Sequence, residues 1–347
     1  MNLADAFTYQ ADTCARMGSP FMGQLLGLLA TDWPQDSALG RKFAAFEGDI
    51  GPAGHSLPLR IAGGLHALVL SNTAPDLAAL YPPQTVSDAD LRVGVLNALK
   101  VHEDFLLEWT DSPPQTNEVR RSAVLIPAAR VAAAAFDLPI WLSELGASGG
   151  LNLMWDHYAL EIGGHRFGPS MPTLTLCPEW SGPLPGTTPP FIAERAGVDL
   201  NPLDPTQGED QLRLIAYLWP DQPERLRLTR AAASVAQGPV HRGDAIDWLA
   251  PRLHAAPEGH LHLIQHTVAW QYFPAEVQAR GRALIEAAGA QATVRRPLAW
   301  VSMESDGDTT GKIGAAVTLR LWPGNITLDL GRADFHGRWI NWTHEET

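Results

Sequence analysis

The residues with the clearest chemical potential lie in the stretch PIWLSELGASGGLNLMWDHY, residues 139–158. Gly146, Ser148 and Gly150 form the pattern Gly-x-Ser-x-Gly, in which Ser148 would be the attacking hydroxyl of a hydrolase. The same residues follow Glu144 and an apolar segment, which is the pattern of a glycine-rich loop around a nucleotide-bearing cofactor. Both interpretations require a strand, a sharp turn and a helix, so the local pattern leaves both open.

Glu144 indicates the charge of the ligand in the second interpretation. Its carboxylate lies two residues before Gly146, where it would repel the pyrophosphate of a dinucleotide. A cationic group, such as the ammonium of S-adenosylmethionine, suits it better. The charge therefore favours S-adenosylmethionine over NAD, unless Glu144 only caps the following helix and Ser148 is only a turn residue.

The hydrolase interpretation requires partners for Ser148 later in the chain. Asp306 or Asp308, followed by His336, would complete a chain order of serine, acid and histidine. However, Ser148 follows the first strand expected in the sheet, and no His-Gly-Gly-like oxyanion segment precedes it. The sequence therefore makes the hydrolase the weaker alternative.

Two further groups of residues could bind ligands. Arg120 and Arg121, in TNEVRRS, either form a solvated helix face or bind an anionic substrate. His260, His262 and His266 share one face of an expected strand. Because the outer two histidines would lie about 20 Å apart on that strand, we expect no metal site there.

The elements that position these residues change character near residue 138. Residues 1–136 have helical patterns, for example Leu91, Val95 and Leu99 at i+4 spacing, and only LHALVLS offers a doubtful strand. From residue 138 onward, apolar strands alternate with helices. We therefore predict a helical domain over residues 1–136 and a Rossmann-like domain over residues 137–347.

The predicted fold class is α/β. Apolar strands that alternate with helices predict a mostly parallel, doubly wound sheet with helices on both faces. AAVTLRLWPGNITLDLG adds an antiparallel hairpin at the C-terminal edge. The hairpin YALEIGGHRFG and the irregular Pro-rich stretch after it, about residues 158–190, would be an insertion.

Composition disfavours several classes of partner. The chain has 38 acidic and 25 basic residues, a formal charge of −13, which disfavours nucleic acid or a membrane surface as the main partner. Cys14 and Cys177 lie far apart, and the N-terminus lacks a signal-peptide pattern. We expect a cytoplasmic protein with a small-molecule substrate, and the oligomeric state stays open.

The motifs resemble two known groups of proteins. Glu-x-Gly-x-Ser-Gly-Gly, a later acid-ended strand, a Gly-Asp-Ala turn and a closing hairpin resemble S-adenosylmethionine-dependent methyltransferases over roughly residues 138–345. ELGASGGLNL, TNEVRR, GVDLNPLD, WPDQ and HTVAWQY resemble an uncharacterised bacterial family of unknown function, DUF2332, over nearly the whole chain. The narrower resemblance implies no established activity.

The methyltransferase resemblance implies roles for particular residues. Its pattern assigns the amino-acid end of the cofactor to Glu144, Gly146 and Ser148, the ribose to Asp199, the adenine to Asp244, and the substrate side to Gln265, His266 and Trp270, with His266 as the catalytic base. Asp199 departs from the usual pattern, because it follows Glu144 by 55 residues where about 20 are usual. The expected function is methyl transfer to an unknown small molecule. The alternatives are a Ser148 hydrolase and a non-catalytic nucleotide- or protein-binding module.

Overall fold

The N-terminal part of the chain is helical, as predicted. The computed structural model describes residues 1–52, 54–307 and 313–345, and these contain no strand before Ile140. LHALVLS, the doubtful strand, belongs to a helix that is buried almost all round. The helices before the sheet are α1 (Leu3–Arg16), α2 (Pro20–Asp32), α3 (Ala38–Ala44), α4 (Leu57–Leu70), α5 (Pro75–Ala78), α6 (Asp88–Val101), α7 (Glu103–Trp109) and α8 (Ser122–Phe136).

The chain divides into two compact units. One comprises residues 1–116 and 207–227, and the other comprises residues 117–206 and 228–347. This division differs from the predicted boundary at residue 136, because α8 packs with the sheet. In the first unit, Asp221 of the WPDQ motif accepts hydrogen bonds from the Ser19 hydroxyl at 2.5 Å and the Phe21 N–H at 3.0 Å. That motif therefore holds the start of α2.

The second unit is built on a nine-stranded sheet of mixed direction. Its strands and the helices between them are β1 (Ile140–Leu145), β5 (Glu179–Ser181), β6 (Ile192–Asp199), β7 (Val240–Arg242), α11 (Ala245–Ala255), β8 (Leu261–Thr267), α12 (Ala275–Ala290), β9 (Leu298–Glu304), β10 (Ala315–Trp322), β11 (Ile326–Ala333) and β12 (Trp339–Trp342). Two further helices, α9 (Gly208–Ala216) and α10 (Pro223–Ala233), lie between β6 and β7 in the chain.

Five neighbouring strands, β7-β6-β1-β8-β9, run parallel. In chain order these are the third, second, first, fourth and fifth parallel strands, which is the order of a doubly wound sheet. The order reverses between β1 and β8, and ligands of such sheets bind beyond the carboxyl ends of the strands at this switch point. The strand order therefore places the candidate site next to Glu144.

Both faces of the sheet are covered. On one face, Leu142, Leu263 and Val301 pack in the same core as α8. On the other face, Ile264 and Trp300 pack in a core with residues of α11 and α12. Neighbouring residues of one strand therefore point into different cores, as strand geometry requires.

The closing hairpin and the insertion hairpin are both present. β10 pairs antiparallel with β9 and β11, and β11 pairs antiparallel with β12. A separate small sheet has the order β3-β2-β4, with β2 (Tyr158–Ile162), β3 (His165–Phe167) and β4 (Leu174–Leu176). Gly163 and Gly164 make the β2–β3 turn, both with positive φ. The Pro-rich stretch is less irregular than expected, because it contains β4 and β5.

No helix in the described parts of the chain is long and apolar enough to cross a membrane.

Candidate functional site

The switch point brings together the loops that follow β1 and β8. Glu144 is opposite Gln265 in the parallel register. A Cβ added to Gly146 would lie 2.5 Å from the Cβ of Ala269, so the two loops are in close contact. Each loop has a residue in the left-handed region, Ser148 and Val268, both with φ of 52°. This conformation is rare for a β-branched residue, and such strain is concentrated at functional sites.

Glu144 is the buried carboxylate of this site. Its residue is 2% exposed, and its Oε2 has no hydrogen-bond partner in the described structure. The pKa of Glu144 is raised to about 8, chiefly by burial; the Gln265 amide and the Arg121 charge lower it, and the charge of Asp199 raises it. Near pH 7 the side chain is therefore mostly protonated, and a cation close to Oε2 would favour its ionisation.

Every backbone N–H group of the glycine loop, from Gly146 to Leu151, donates a hydrogen bond within the protein. Asp199 Oδ2 accepts the Ser148 N–H at 2.9 Å, and Asn117 Oδ1 accepts the N–H groups of Gly149 and Leu151 at 3.2 and 2.9 Å. The remaining N–H groups of the loop, those of Gly146, Ala147 and Gly150, donate to Val198 O, Val198 O and Ala147 O. In this conformation the loop has no N–H left for a phosphate or carboxylate.

Asn117 is a site residue that the sequence interpretation missed. It belongs to the TNEVRR motif, and its amide oxygen fixes the loop that carries the ELGASGG motif. Asn152, in the Leu151–His157 3₁₀ segment, adds a second link, because it accepts from the Ser122 hydroxyl at 2.7 Å and donates to Glu118 O at 3.3 Å. TNEVRR and ELGASGG both stand out in the sequence as short motifs with polar residues. The sequence alone does not show that these two motifs are in contact.

Arg120 and Arg121 were predicted to bind substrate, and they lie beside this network. Arg120 forms an ion pair with buried Glu118 at 3.2 Å. Arg121 is buried and donates to Phe335 O at 2.9 Å and to Thr267 O at 3.1 Å. Arg121 therefore holds the carboxyl end of β8 in place. Its role in substrate binding stays a prediction.

Gln265 and His266 lie on opposite faces of the sheet. Gln265 is on the face of Glu144, where its Oε1 accepts from Trp155 Nε1 at 3.0 Å and its Nε2 donates to Asn152 O at 3.2 Å. His266 and Trp270 pack against Trp300 on the other face. The structure therefore brings Gln265 to Glu144 but keeps His266 and Trp270 apart from it.

The geometry of His266 does not support its predicted role as catalytic base. Trp300 donates its indole N–H to Nε2 at 2.9 Å, so the ring proton is on Nδ1, which lies 2.7 Å from Glu304 Oε1. The residue is 2% exposed. Because both ring nitrogens are engaged and buried, His266 has no lone pair available to a substrate.

Glu304 organises the turn after β8, and the sequence interpretation missed it. Oε1 accepts from Ala269 N at 3.0 Å and Trp270 N at 3.1 Å in addition to His266, and Oε2 accepts from Gln271 N at 3.3 Å. Burial alone would raise the pKa of Glu304, but these hydrogen bonds and the His266 ring hold it below its ordinary value. Glu304 is therefore a structural carboxylate.

Asp199 and Asp244, the predicted ribose and adenine contacts, also bond to the protein itself. Asp199 accepts from the Ser148 and Asn201 N–H groups, both at 2.9 Å. Asp244 caps α11, accepting from the N–H groups of Ile246 and Asp247, and forms an ion pair with Arg280 at 2.8 Å. Both lie at the carboxyl edge of the sheet, but their role in cofactor binding stays a prediction.

The hydrolase triad is not assembled in the described structure. The Ser148 hydroxyl is buried and has no hydrogen-bond partner there, so no described histidine lies within bonding distance. Asp306 is paired with Arg332 at 2.7 Å. Asp308, the other candidate acid, lies outside the described residues. Likewise, the described histidine, cysteine and carboxylate side chains form no cluster suited to a metal ion.

The comparisons with known proteins identify a family but no activity. No curated protein and no solved structure gave a significant match. A family model described as an uncharacterised protein conserved in bacteria matches residues 4–342, nearly the whole chain. The protein therefore belongs to the DUF2332 family.

Proposed function

We propose that the protein is an S-adenosylmethionine-dependent methyltransferase that acts on a small molecule. The observation that carries this proposal is the buried carboxylate of Glu144 at the switch point, with one oxygen that has no partner. An ionisable group in a strongly perturbed environment at the ligand-binding edge of a sheet is a functional-site candidate.

The residues at the site fit the cationic end of such a cofactor better than its other parts. Glu144 Oε2 can accept a charge-assisted hydrogen bond from the ammonium group, which would also offset the cost of ionising Glu144. The N–H groups of the glycine loop and the carboxylates of Asp199 and Asp244 already form hydrogen bonds within the protein. The proposal therefore assigns the recognition of the cofactor chiefly to Glu144, with Ser148 Oγ as the second unused polar atom.

S-adenosylmethionine, when bound, supplies an electrophilic methyl group. The contributions of this chain are orientation and the exclusion of water, which can account for much of the acceleration of a bimolecular transfer. Arg121 and Glu304 fix the turn after β8 on one side of the switch point, and Asn117 fixes the glycine loop on the other. A rigid frame of this kind is what orientation requires.

Thermal denaturation with S-adenosylhomocysteine tests the proposal. At millimolar ligand we expect the wild type to melt at a higher temperature, because a ligand that binds the folded state stabilises it by mass action. Ser148→Ala, which removes the second of the proposed contacts, should respond somewhat less than the wild type, and Glu144→Gln should respond least. If the ligand leaves the wild-type melting temperature unchanged, the methyltransferase proposal fails. Binding without consumption of S-adenosylmethionine by any acceptor would favour the non-catalytic module.

A further inference from the structure

A cavity lies at the amino end of β8. Its volume is about 280 Å³, just below the range of roughly 300–1,000 Å³ that is usual for small-molecule pockets. Residues of α11, α12, β8 and β9 line it, among them Leu253, His254, His262, Leu284, Arg296 and Leu298. His262 is the second residue of β8 and precedes His266 by four positions, a distance of about 13 Å along the strand. The cavity is therefore distinct from the switch point.

The lining is apolar apart from a few polar groups. Leu253 and Ala256 contribute from the end of α11, Leu284 and Ala288 from α12, and Leu298 from β9. An occupant must therefore have an apolar body. The polar groups of the lining then decide which head group it can carry.

His262 has an unused hydrogen-bonding position although it is only 2% exposed. Arg252 Nε donates to Ser143 Oγ at 2.9 Å, and Ser143 Oγ lies 2.9 Å from His262 Nε2. The buried Ser143 hydroxyl has no other acceptor among the described residues, so it donates its proton to Nε2, and the ring proton of His262 is on Nδ1. Nδ1 has no partner among the described residues.

The chain itself holds this ring in its tautomer. Arg252 is fixed by Glu194, to which it donates at 2.7 Å, and by Leu142 O at 3.0 Å. Burial and, to a smaller extent, the charge of Arg252 together lower the pKa of His262 to about 3. His262 is therefore a neutral donor, and an N–H donor left unpaired in a buried position is costly.

Arg296 supplies a positive charge to the same cavity. Its side chain forms no ion pair with a described residue, whereas its neighbour Arg295 pairs with Glu258 at 3.0 Å. The lining thus combines a neutral N–H donor, a guanidinium group, the polar side chains of His254 and Gln291, and apolar walls. An occupant with hydrogen-bond acceptors and a negative charge at one end matches this combination.

We propose that this cavity binds a small monocarboxylate with an apolar tail. The carboxylate accepts hydrogen bonds from His262 Nδ1 and from the Arg296 guanidinium, and the tail packs against α11 and α12. This site is separate from the proposed methyltransferase site, and its test does not depend on that function.

Calorimetric titration of the full chain with hexanoate tests the proposal, with hexylamine as a probe of equal length and opposite charge. We expect hexanoate to bind and hexylamine not to bind. His262→Gln keeps an amide near the Nε2 position but removes the Nδ1 donor, and it should weaken hexanoate binding at least about tenfold. Arg296→Gln should weaken it by about the same factor. Arg295→Gln is the matched control and should bind as the wild type does.

Three results would overturn the proposal. The first is that hexanoate does not bind even at about 10 mM, a concentration that would detect weak binding. The others are that hexylamine binds equally well, or that Arg296→Gln binds hexanoate with unchanged affinity. Arg296 is exposed, so that variant remains informative if His262→Gln does not fold. A Glu144→Gln variant should bind hexanoate normally, which separates this site from the switch point.

Discussion

Two glutamates end parallel strands at the same edge of the sheet, and their surroundings differ sharply. Glu304, at the end of β9, receives hydrogen bonds from His266 and from three backbone N–H groups, and its pKa is held low. Glu144, near the end of β1, has an oxygen without a partner, and its pKa is raised to about 8. The chain thus supplies donors to one buried carboxylate and leaves the other without a donor for one oxygen.

This difference separates a structural carboxylate from a candidate ligand-binding one. A buried polar group without a partner costs about 1–3 kcal/mol, and proteins keep such costs mainly where function requires them. Ser148 and Val268, the two strained residues of the site, lie in the loops on either side of Glu144. The comparison therefore predicts that the two glutamates respond to the same substitution in opposite ways.

Glu304→Gln should have the largest effect on stability. The amide would place an NH₂ group among N–H donors, so we expect the free energy of unfolding to fall by roughly 3–5 kcal/mol. Urea denaturation measures this loss. Glu286→Gln, which removes a half-exposed partner of Arg320, is the matched control and should cost less than about 1 kcal/mol. A Glu304→Gln variant as stable as that control would contradict a structural role.

Glu144→Gln should gain stability relative to the wild type as the pH rises. The folded-state pKa of Glu144 lies above its unfolded value, so its contribution to stability is present below about pH 4.5 and is lost as the pH rises through about 8. The glutamine variant has no such loss. Urea denaturation of both proteins measures the difference between their free energies of unfolding. Between pH 5 and pH 7.5 this difference should change by about 3 kcal/mol in favour of the glutamine variant. A difference that does not vary with pH would mean that Glu144 is not perturbed.

Asn117→Ala should have an intermediate effect. It leaves the buried N–H groups of Gly149 and Leu151 without their acceptor, so the free energy of unfolding should fall by about 2 kcal/mol. Asn341→Ala removes an exposed hydrogen bond to Ser181 and is the control. If both variants lose equally little stability in urea, Asn117 does not fix the loop.

Ser148→Ala should have the smallest effect. Its buried hydroxyl has no partner among the described residues, so its loss should raise the free energy of unfolding by about 1 kcal/mol. Ser148→Gly should gain roughly 1 kcal/mol more, because glycine accepts the left-handed conformation without strain. A fluorophosphonate probe should leave Ser148 unlabelled, and stoichiometric labelling would restore the hydrolase alternative.

The fold was more predictable from sequence than the site. Hydrophobic periodicity indicated the helical region and the strand that carries Glu144, and Gly163-Gly164 marked a hairpin turn. Periodicity is local, which is why these elements were found. The small strands β4 and β5 were missed because their pairing with β2 and β12 depends on distant segments.

The sequence predicted the site residues that lie near strand ends. It did not predict the residues whose role depends on contacts with distant segments of the chain. Glu144 and Gln265 lie near the carboxyl ends of neighbouring strands, so their proximity follows from the sheet order. The alternation of faces within β8 separates His266 from Gln265, which the motif alone did not reveal. Asn117 and Glu304 act on loops more than 30 residues away, and no local pattern predicts such partners.

The central claim is that Glu144 receives the cationic group of the ligand, and calorimetric titration tests it most directly. S-adenosylhomocysteine is titrated into the wild type and into Glu144→Gln near pH 7. Two buffers of different ionisation enthalpy are used, so that the number of protons released on binding can be measured. Because burial raises the pKa of Glu144 to about 8, the ammonium group should displace a proton from it. We predict binding with proton release by the wild type, and binding about ten- to a hundredfold weaker without that release by the variant. Equal affinity in both proteins, or no binding to the wild type at millimolar ligand, would contradict the claim that Glu144 receives a cation.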